Sequence, residues 1–198
     1  MNEEIEAPPR GRGRPRNEEK DVAIAEATWR ILAEKGYEGL TFEGVAELAG
    51  CSRSTLYRRF ANKAELVEAI LGQTSRRVEP KTDGSMPPRA VLLAHAHALC
   101  SYMAGPRGPA MLRLSVSAEY HVDLAAALAR HGANEQAFYL RELDRARPGT
   151  AEQVRNFAFN SLIGAVIFQV AVLRASLTDR QIDRIVDDAL AILEMEPG

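Results

Sequence analysis

Hydrophobic residues recur every three to four positions along most of the chain, which is the spacing of one face of an α-helix. A stripe near the N-terminus consists of Ile24, Ala27 and Ile31. The clearest stripe lies within 179–194 and consists of Ile182, Ile185, Val186, Ala189, Leu190 and Leu193. No segment has the alternation of apolar and polar residues that is typical of a half-buried strand. The pattern therefore predicts an all-α fold.

Capping and breaking residues predict where individual helices begin and end. N-cap residues stand at Asn17, Thr41, Asn62, Thr150 and Thr178. The last three have Glu or Gln three residues later, which is the capping-box spacing, and Gly36 is placed to end the first helix. The C-terminal part is predicted to form helices at 89–104, 110–119, 123–146, 151–174 and 179–194. Residues 79–88 (EPKTDGSMPP) are predicted to be the linker that precedes them.

The stretch 41–66 (TFEGVAELAGCSRSTLYRRFANKAEL) contains two short helical patterns on either side of a tight turn. Val45 and Ala49 place small apolar side chains on one face of the first helix, and Leu56 does the same on the second. Gly50 can adopt the positive φ that a sharp turn needs, and the hydroxyl of Ser52 can cap the second helix. Two short helices joined by such a turn are typical of a helix-turn-helix.

The second helix carries the chemistry that suggests a function. Between Ser52 and Lys63 the sequence has three arginines and the lysine itself, has several hydroxyl groups, and has no carboxylate. Cations bind phosphates, and directed donors and acceptors recognise base edges in the major groove. A solvated basic helix is the alternative interpretation of the same charges. The turn glycine, the cap and the missing acids together favour DNA binding.

The same residues carry a resemblance to a known family. The pattern T-x-x-x-V-A-x-x-A-G-C-S-x-x-x-L-Y-x-x-F-x-x-K-x-x-L resembles the DNA-binding domain of TetR-family transcriptional repressors. It lies at Thr41, Val45, Ala46, Ala49, Gly50, Ser52, Leu56, Tyr57, Phe60, Lys63 and Leu66. The resemblance covers about the first third of the chain. Cys51 stands where valine is usual, and Arg59 where histidine or tyrosine is usual; neither change disturbs the assignment, because one remains a small hydrophobe and the other suits a phosphate.

The resemblance implies an N-terminal three-helix helix-turn-helix domain joined by a connecting helix to a helical ligand-binding and dimerisation domain. We assign the DNA-binding domain to 17–77, with the helix-turn-helix at about 41–60, and the second domain to 86–198. The expected DNA contacts are Thr41, Ser52, Arg53, Ser54, Thr55, Tyr57, Arg58, Arg59 and Lys63. The expected partners are double-stranded operator DNA, a second copy of the chain and a small-molecule effector.

Residues 1–16 are rich in Pro, Gly and Arg and have no hydrophobic periodicity, so the sequence predicts a disordered basic arm. Within it, Arg12-Gly13-Arg14 is similar to the core of an AT-hook. An extended Arg-Gly-Arg can lie in a narrow A·T minor groove, where the negative potential is strongest. A solvated basic tail is the alternative interpretation. We expect Arg12 and Arg14 to contact DNA, because the arm adjoins the helix-turn-helix.

In the resembled family the C-terminal domain encloses a ligand cavity, and its last two helices form the dimer. Candidate cavity residues are His97, Tyr102, Met103, Met111, Tyr120, Phe138, Asn160 and Gln169. The apolar bias of this domain indicates a mainly hydrophobic ligand. Candidate dimer residues are Leu162, Ala165, Val166, Gln169, Ile182, Ile185, Val186, Ala189, Leu190 and Leu193.

Charge and composition restrict the remaining function classes. The net charge of the 198 residues is −2, so any affinity for DNA must come from local clustering of cations, which is visible near the N-terminus. Two distant cysteines fit a reduced cytoplasmic protein, and the first residues do not form a signal peptide. The apolar stretch 157–173 is interrupted by Asn160, Ser161 and Gln169, which favours a buried helix over a membrane span. No motif indicates a metal, a cofactor or a catalytic site, so we expect the protein not to be an enzyme.

Three hypotheses follow from the sequence. The favoured one is a dimeric repressor that a small, mainly apolar ligand releases from a palindromic operator. The second is a ligand-independent architectural protein that prefers A·T-rich DNA. The third is an all-α enzyme whose basic helix is incidental.

Overall fold

The computed structural model describes residues 18–78, 80–82 and 84–195, without the side chains of Arg77 and Val78. Every regular element within these ranges is helical, which confirms the predicted all-α fold. The N-terminal helices are α1 (Glu18–Lys35), α2 (Phe42–Leu48), α3 (Arg53–Tyr57) and α4 (Lys63–Val78). The remaining helices are α5 (Pro88–Ala104), α6 (Arg107–Ser117), α7 (Val122–Ala146), α8 (Glu152–Val166) and α9 (Asp179–Ile192), with a π-helical segment (Ile167–Val172) continuing α8.

Most of the predicted boundary signals act as expected. Gly36 follows α1 with φ +68°, and Thr41 Oγ1 accepts a hydrogen bond from Gly44 N at 3.1 Å at the start of α2. Before α4, Asn62 Oδ1 accepts from Glu65 N at 2.9 Å. Both hydrogen bonds of the capping box at Thr178 are present at the start of α9. The predicted cap Asn17 lies outside the described residues.

Two predictions about α8 are wrong. Thr150 does not cap α8, because its hydroxyl donates to Arg147 O at 2.8 Å and Ala151 occupies the N-cap position. The helix predicted at 151–174 is not a continuous α-helix, since it changes to π-helical geometry at Ile167. A π-helical segment shifts the faces that the following side chains occupy, so periodicity read from the sequence does not apply beyond that point.

The N-terminal helices build one hydrophobic core together with part of the C-terminal half. Leu32, Val45, Leu56 and Leu66 are buried at its centre. Ala110 and Leu114 of α6 belong to the same cluster. Helix α6 thus packs directly on α1, and the N-terminal helices and the rest of the chain share apolar contacts.

A second core lies among α5, α7, α8 and α9, where α9 packs against both α5 and α8. The inner stripe of α9 is buried, with Val186 and Ala189 at its centre. Glu152–Val172 is long and apolar enough by composition to cross a membrane, but core helices of soluble proteins can have the same length and composition. Its inner face, which includes Ala158 and Leu162, packs in the second core.

Candidate nucleic-acid interface and cavity

Helix α3 presents a polar face to solvent. Arg53, Ser54, Tyr57 and Arg58 are exposed on it, at positions that share one side of the helix. The turn that precedes it depends on Gly50, whose φ is +61°. An L-residue with a side chain rarely adopts this backbone conformation, so the glycine sets the angle between α2 and α3.

Helix α3 is shorter than the sequence suggested. We grouped the cations from Ser52 to Lys63 with the second helix of the motif, while Asn62 was the predicted cap of the next helix. In the structure α3 ends at Tyr57, and Lys63 is the first residue of α4 as that cap predicts. The break follows from the capping of α4: Asn62 binds the amide of Glu65, and the Glu65 carboxylate accepts from Ala61 N at 2.6 Å. The predicted cations therefore lie on two helices and the turn between them.

Ser52 also differs from expectation. Its backbone is extended, as at an N-cap, but its side chain makes no capping hydrogen bond to the backbone. The hydroxyl instead lies 2.9 Å from Ser54 Oγ and 2.9 Å from Thr55 Oγ1. Three hydroxyl groups are thus clustered at the start of α3.

Carboxylates from neighbouring helices reach this surface, although the segment itself has none. Glu43 of α2 accepts a hydrogen bond from the Tyr57 hydroxyl at 3.2 Å and lies 4.0 Å from Arg53 Nη1. The bond to Glu43 raises the pKa of Tyr57. Asp21 of α1 forms a 2.6 Å ion pair with Arg59, and both side chains are mostly buried. The neighbours of these cations in space could not be read from the 52–63 segment.

Lys63 is held by the α1–α2 connection. Its Nζ donates to Tyr37 O at 3.0 Å and lies 4.1 Å from the centre of the Tyr37 ring. An ammonium over an aromatic face is attracted by the ring quadrupole. The lysine therefore stays near the N-terminus of α4 with a fixed direction. Arg12 and Arg14 lie outside the described residues.

A cavity of about 480 Å³ lies between α4 and the C-terminal helices. Its walls come mainly from α5 and α7, with residues of α4, α6, α8 and the π-helical segment. Four of the eight predicted cavity residues line it: Tyr102, Met103, Met111 and Phe138. The volume lies in the range of small-molecule sites.

The other four predicted cavity residues do not line it. His97 lies on another side of α5, with Nδ1 3.9 Å from Asp179, and Tyr120 is 74% exposed beyond the end of α6. Asn160 and Gln169 occupy faces of α8 and the π-helical segment that do not line the cavity. These residues were chosen by type alone, and the direction of each side chain depends on how its helix is rotated.

Several residues that the sequence did not single out line the cavity. His95 stacks on Phe138 with ring centres 4.0 Å apart, and Tyr139 packs edge-on against both rings. Burial raises the pKa of the Tyr102 and Tyr139 hydroxyls, so both are neutral donors. The walls thus combine apolar and aromatic surface with a few polar groups, an arrangement typical of ligand pockets.

Charged residues also line the cavity, namely Arg76 of α4 and Glu135 and Arg141 of α7. All three side chains are exposed in part to solvent. His131 of α7 lies nearby, and burial lowers its pKa. A spacing of three or four residues along α7 places such groups on one side of the helix.

The cavity wall is in contact with α1 of the N-terminal core. The ring of Tyr102 packs edge-on against Trp29 with centroids 6.2 Å apart. Helix α6, which contributes Met111 to the cavity, is joined to α1 by a 2.8 Å ion pair between Arg107 and Glu26 and by a hydrogen bond from Arg113 to Ala33 O. The cavity wall and α1 are therefore in direct contact.

Most of the predicted dimer residues are buried within the chain itself. Six of them are buried in the core of the single chain: Leu162, Val166, Ile182, Val186, Ala189 and Leu193. Ala165, Gln169, Ile185 and Leu190 are partly exposed. The prediction used the hydrophobic stripe, which is the inward face of a helix that already has a core to cover.

A different face of α8 and the π-helical segment carries large exposed apolar side chains. Phe157 is 56% exposed and Phe168 is 53% exposed, and the exposed Gly164 lies between them. Val172 and Leu173 extend this surface. Large exposed hydrophobic side chains that lie together indicate an interaction surface.

Comparisons with known proteins agree with this architecture. The family model "Bacterial regulatory proteins, tetR family" matches residues 24–70, which include α2 and α3. The DNA-binding transcriptional repressor TetR of Mycobacteroides abscessus is 27% identical over 191 residues, covering 92% of this chain and 97% of that one. The uncharacterised HTH-type transcriptional regulator YdeS of Bacillus subtilis is 31% identical over 105 residues, and the chain spans only about half of its length, 52%.

A solved structure has the same fold. The TetR transcriptional regulator from Agrobacterium tumefaciens superposes with a TM-score of 0.65 at 20% identity, covering 87% of this chain and 93% of that one. The matched N-terminal segment, the full-length relative and the shared helical fold lead to one conclusion. The chain has a tetR-family N-terminal segment and is similar in sequence and fold to TetR-family transcriptional regulators.

Proposed function

We propose that the protein is a dimeric repressor that binds a palindromic operator and is released from it by a small, mainly apolar ligand. One observation carries the proposal: α4 both begins beside the basic surface of α3 and lines the 480 Å³ cavity. A single helix thus touches the DNA-binding surface at one end and the ligand site at the other. The protein would act in the cytoplasm, and its partners would be DNA, a second copy of the chain and an effector.

In this proposal the residues of α3, the turn after it and the start of α4 divide into two roles. Arg53, Ser54, Thr55 and Arg58 face the bases, because the N-terminal part of a recognition helix enters the major groove. Tyr57, Arg59 and Lys63 bind phosphates, with Thr41 and Ser52 at the edges of the contact. Arg59 has to share its guanidinium between Asp21 and a phosphate. The hydroxyl groups clustered around Ser52 can donate hydrogen bonds to base edges or to phosphates.

The arm would add contacts in the minor groove. Arg12 and Arg14, which precede the described residues, would bind A·T-rich DNA on either side of the major-groove site. Deletion of residues 1–16 is then expected to cost affinity chiefly on operators with A·T-rich flanks. An equal loss on G·C-rich flanks would indicate simple counterion release instead.

The dimer in this proposal uses the exposed face of α8 and the π-helical segment. Phe157 and Phe168 act as anchors, and Gly164 and Ala165 allow the helices of two copies to approach closely. A twofold axis at this face would carry two copies of α3, which need a separation of about 34–36 Å to reach successive major grooves. The symmetry of the operator would follow from the symmetry of the dimer.

The ligand would act through differences in cavity shape. A ligand that fits only one arrangement of α4 and α6 favours that arrangement, and with it one separation of the two α3 helices. Thermodynamic linkage then requires operator DNA to weaken ligand binding by the same factor, roughly 5–150 for a typical coupling.

Selection of bound DNA from a random pool tests the proposal. The full chain is incubated with the pool, and bound sequences are recovered and aligned. A palindromic motif with half-sites about one helical turn apart is the expected result. A motif with plain A·T preference and no symmetry would contradict it and support an architectural protein.

A second experiment tests the base-contact role assigned to Thr55. Thr55→Val is expected to change which bases are selected at one position of each half-site, because a lost hydroxyl removes one base contact. Lys81→Ala, an exposed linker change, serves as the control and should leave the motif unaltered. An unchanged motif for Thr55→Val would remove that residue from the base contacts.

A further inference from the structure

Two arginines that line the cavity have no carboxylate partner among the described residues. Arg76 and Arg141 line the cavity, and within the described part of the chain neither is in an ion pair. Other arginines that bridge helices, such as Arg107 and Arg130, are held by carboxylates. Arg141 lies with its Cζ 5.9 Å from the centre of the Phe138 ring, which is part of the cavity wall. Two guanidinium groups are therefore available to a ligand.

We propose, on the basis of the proposed function, that the effector is an amphiphile with an aromatic or aliphatic body and one anionic group, which Arg76 and Arg141 bind at the cavity. The body would fill the space between Leu99, Met103 and Phe138, where the walls are apolar. The planar guanidinium groups match the geometry of a carboxylate, sulfonate or phosphate.

The balance of charge favours an anion over a cation. Glu135 is the one carboxylate among the described residues of the lining, against the two arginines. Burial lowers the pKa of His131, so this residue adds a neutral hydrogen-bonding group at pH 7. The net charge of the lining side chains is positive under these conditions, which disfavours a cationic ligand.

The position of Arg76 gives the anionic group a second role. Arg76 lies one turn after Gly72 on α4, the helix that begins with Lys63 at the DNA-binding surface. An anion bound to Arg76 and to Arg141 of α7 joins α4 to α7. Ligands without the anionic group would fill the cavity but would lack this link.

Two matched fluorescent probes test the ligand class without DNA. 1-Anilinonaphthalene-8-sulfonate is anionic, and N-phenyl-1-naphthylamine has the same ring system without the sulfonate. Both are titrated into the full chain by fluorescence. The anionic probe is expected to bind about tenfold or more tightly than the neutral one, as a hydrogen bond to a charged group predicts.

Variants assign that preference to the cavity. Arg76→Gln and Arg141→Gln should each reduce the affinity for the anionic probe about tenfold and leave the neutral probe unaffected. Arg76→Lys keeps the charge but not the planar guanidinium, so it should lose less affinity for the anionic probe than Arg76→Gln does. Glu135→Gln should increase affinity for the anionic probe. Arg180→Gln, an exposed change at α9, is the control and should leave both affinities unchanged.

Equal affinities for the two probes would overturn the proposal, and so would an anion preference that survives both arginine variants. The second result would place the probe elsewhere on the chain. These titrations contain no DNA, whereas the operator selection contains no ligand. A failure of the ligand class can therefore be told apart from a failure of the repressor function.

Discussion

The indole Nε1 of Trp29 donates a hydrogen bond to Thr74 Oγ1 at 3.0 Å, with both residues buried. The bond joins α1 to α4 across 45 positions of sequence. Thr74 lies between Gly72 and Ser75, which line the cavity, and Trp29 contacts the cavity residue Tyr102. The two residues thus connect the cavity to the N-terminal core by direct contact.

Thr74→Val should lower the free energy of unfolding by about 1–3 kcal/mol, because the buried indole N–H loses its acceptor. Trp29→Phe removes the donor and some volume, while Thr74 still donates to Ile70 O at 2.7 Å. In the double variant the costs should not add, with a coupling of about 0.5–3 kcal/mol. Urea unfolding of the four proteins measures this cycle. Additive costs would show that the hydrogen bond contributes nothing to stability.

Lys63→Ala should weaken binding to all DNA sequences and reduce the salt slope of binding by about one unit, because one phosphate contact is lost. The variant should also lose some stability, since Nζ no longer holds Tyr37 O. Binding is measured by fluorescence anisotropy over a range of salt concentrations, with Lys81→Ala as the control. A salt slope equal to that of the unaltered chain would rule out a phosphate contact by Lys63.

Asp21→Asn should raise affinity for all DNA sequences by up to about fivefold, because Arg59 is released from its ion pair and can bind a phosphate fully. Glu19→Gln is the control. Glu19 lies in the same turn of α1 and has no ion-pair partner among the described residues, so this variant measures the effect of losing one negative charge. If the two variants raise affinity equally, Arg59 makes no separate phosphate contact.

Phe168→Glu should weaken the dimer at least about 30-fold, as expected when a central anchor of an interface is lost. Val122→Glu is the matched control, because Val122 is also exposed, at 85%, but lies on α7 away from the apolar face of α8. Sedimentation equilibrium measures the dissociation constant. A dimer that is unaffected by Phe168→Glu would have to use another surface.

The ion pair between Glu68 of α4 and Arg130 of α7 should make stability depend on pH. Arg130 donates two hydrogen bonds to the carboxylate, at 2.8 and 2.5 Å, and these lower the pKa of Glu68. Because the pKa of Glu68 is lower in the folded chain than in the unfolded chain, where it is about 4.3, the ion pair stabilises the fold at pH values above about 4.3. This contribution to stability is lost as the pH falls through the pKa of Glu68 in the folded chain.

The stability difference between the unaltered chain and Arg130→Gln should therefore be constant from about pH 5 to 7 and shrink below about pH 4. Urea unfolding across this range measures it, with Arg180→Gln as the control. A difference that does not change with pH would mean that packing of the Arg130 side chain, rather than the charge of Glu68, accounts for its effect.

The helical class, most helix ends and the helix-turn-helix could be predicted from the order of the amino acids alone. These features depend on local signals: apolar residues three or four apart, the caps at Thr41, Asn62 and Thr178, and a glycine that can adopt positive φ at position 50. The interactions involved span at most a few residues, so their pattern is visible in the order of the amino acids.

Contacts between groups that are distant along the chain became visible only in the folded structure. Asp21 lies 38 positions before Arg59, and Arg76 and Arg141 line the same cavity from different helices. The hydrophobic stripe of α9 packs against other helices of the same chain. Periodicity identifies an apolar face, but it does not identify the element that packs against that face. Contacts between distant segments depend on the rotation and crossing of whole helices, and no local pattern encodes these.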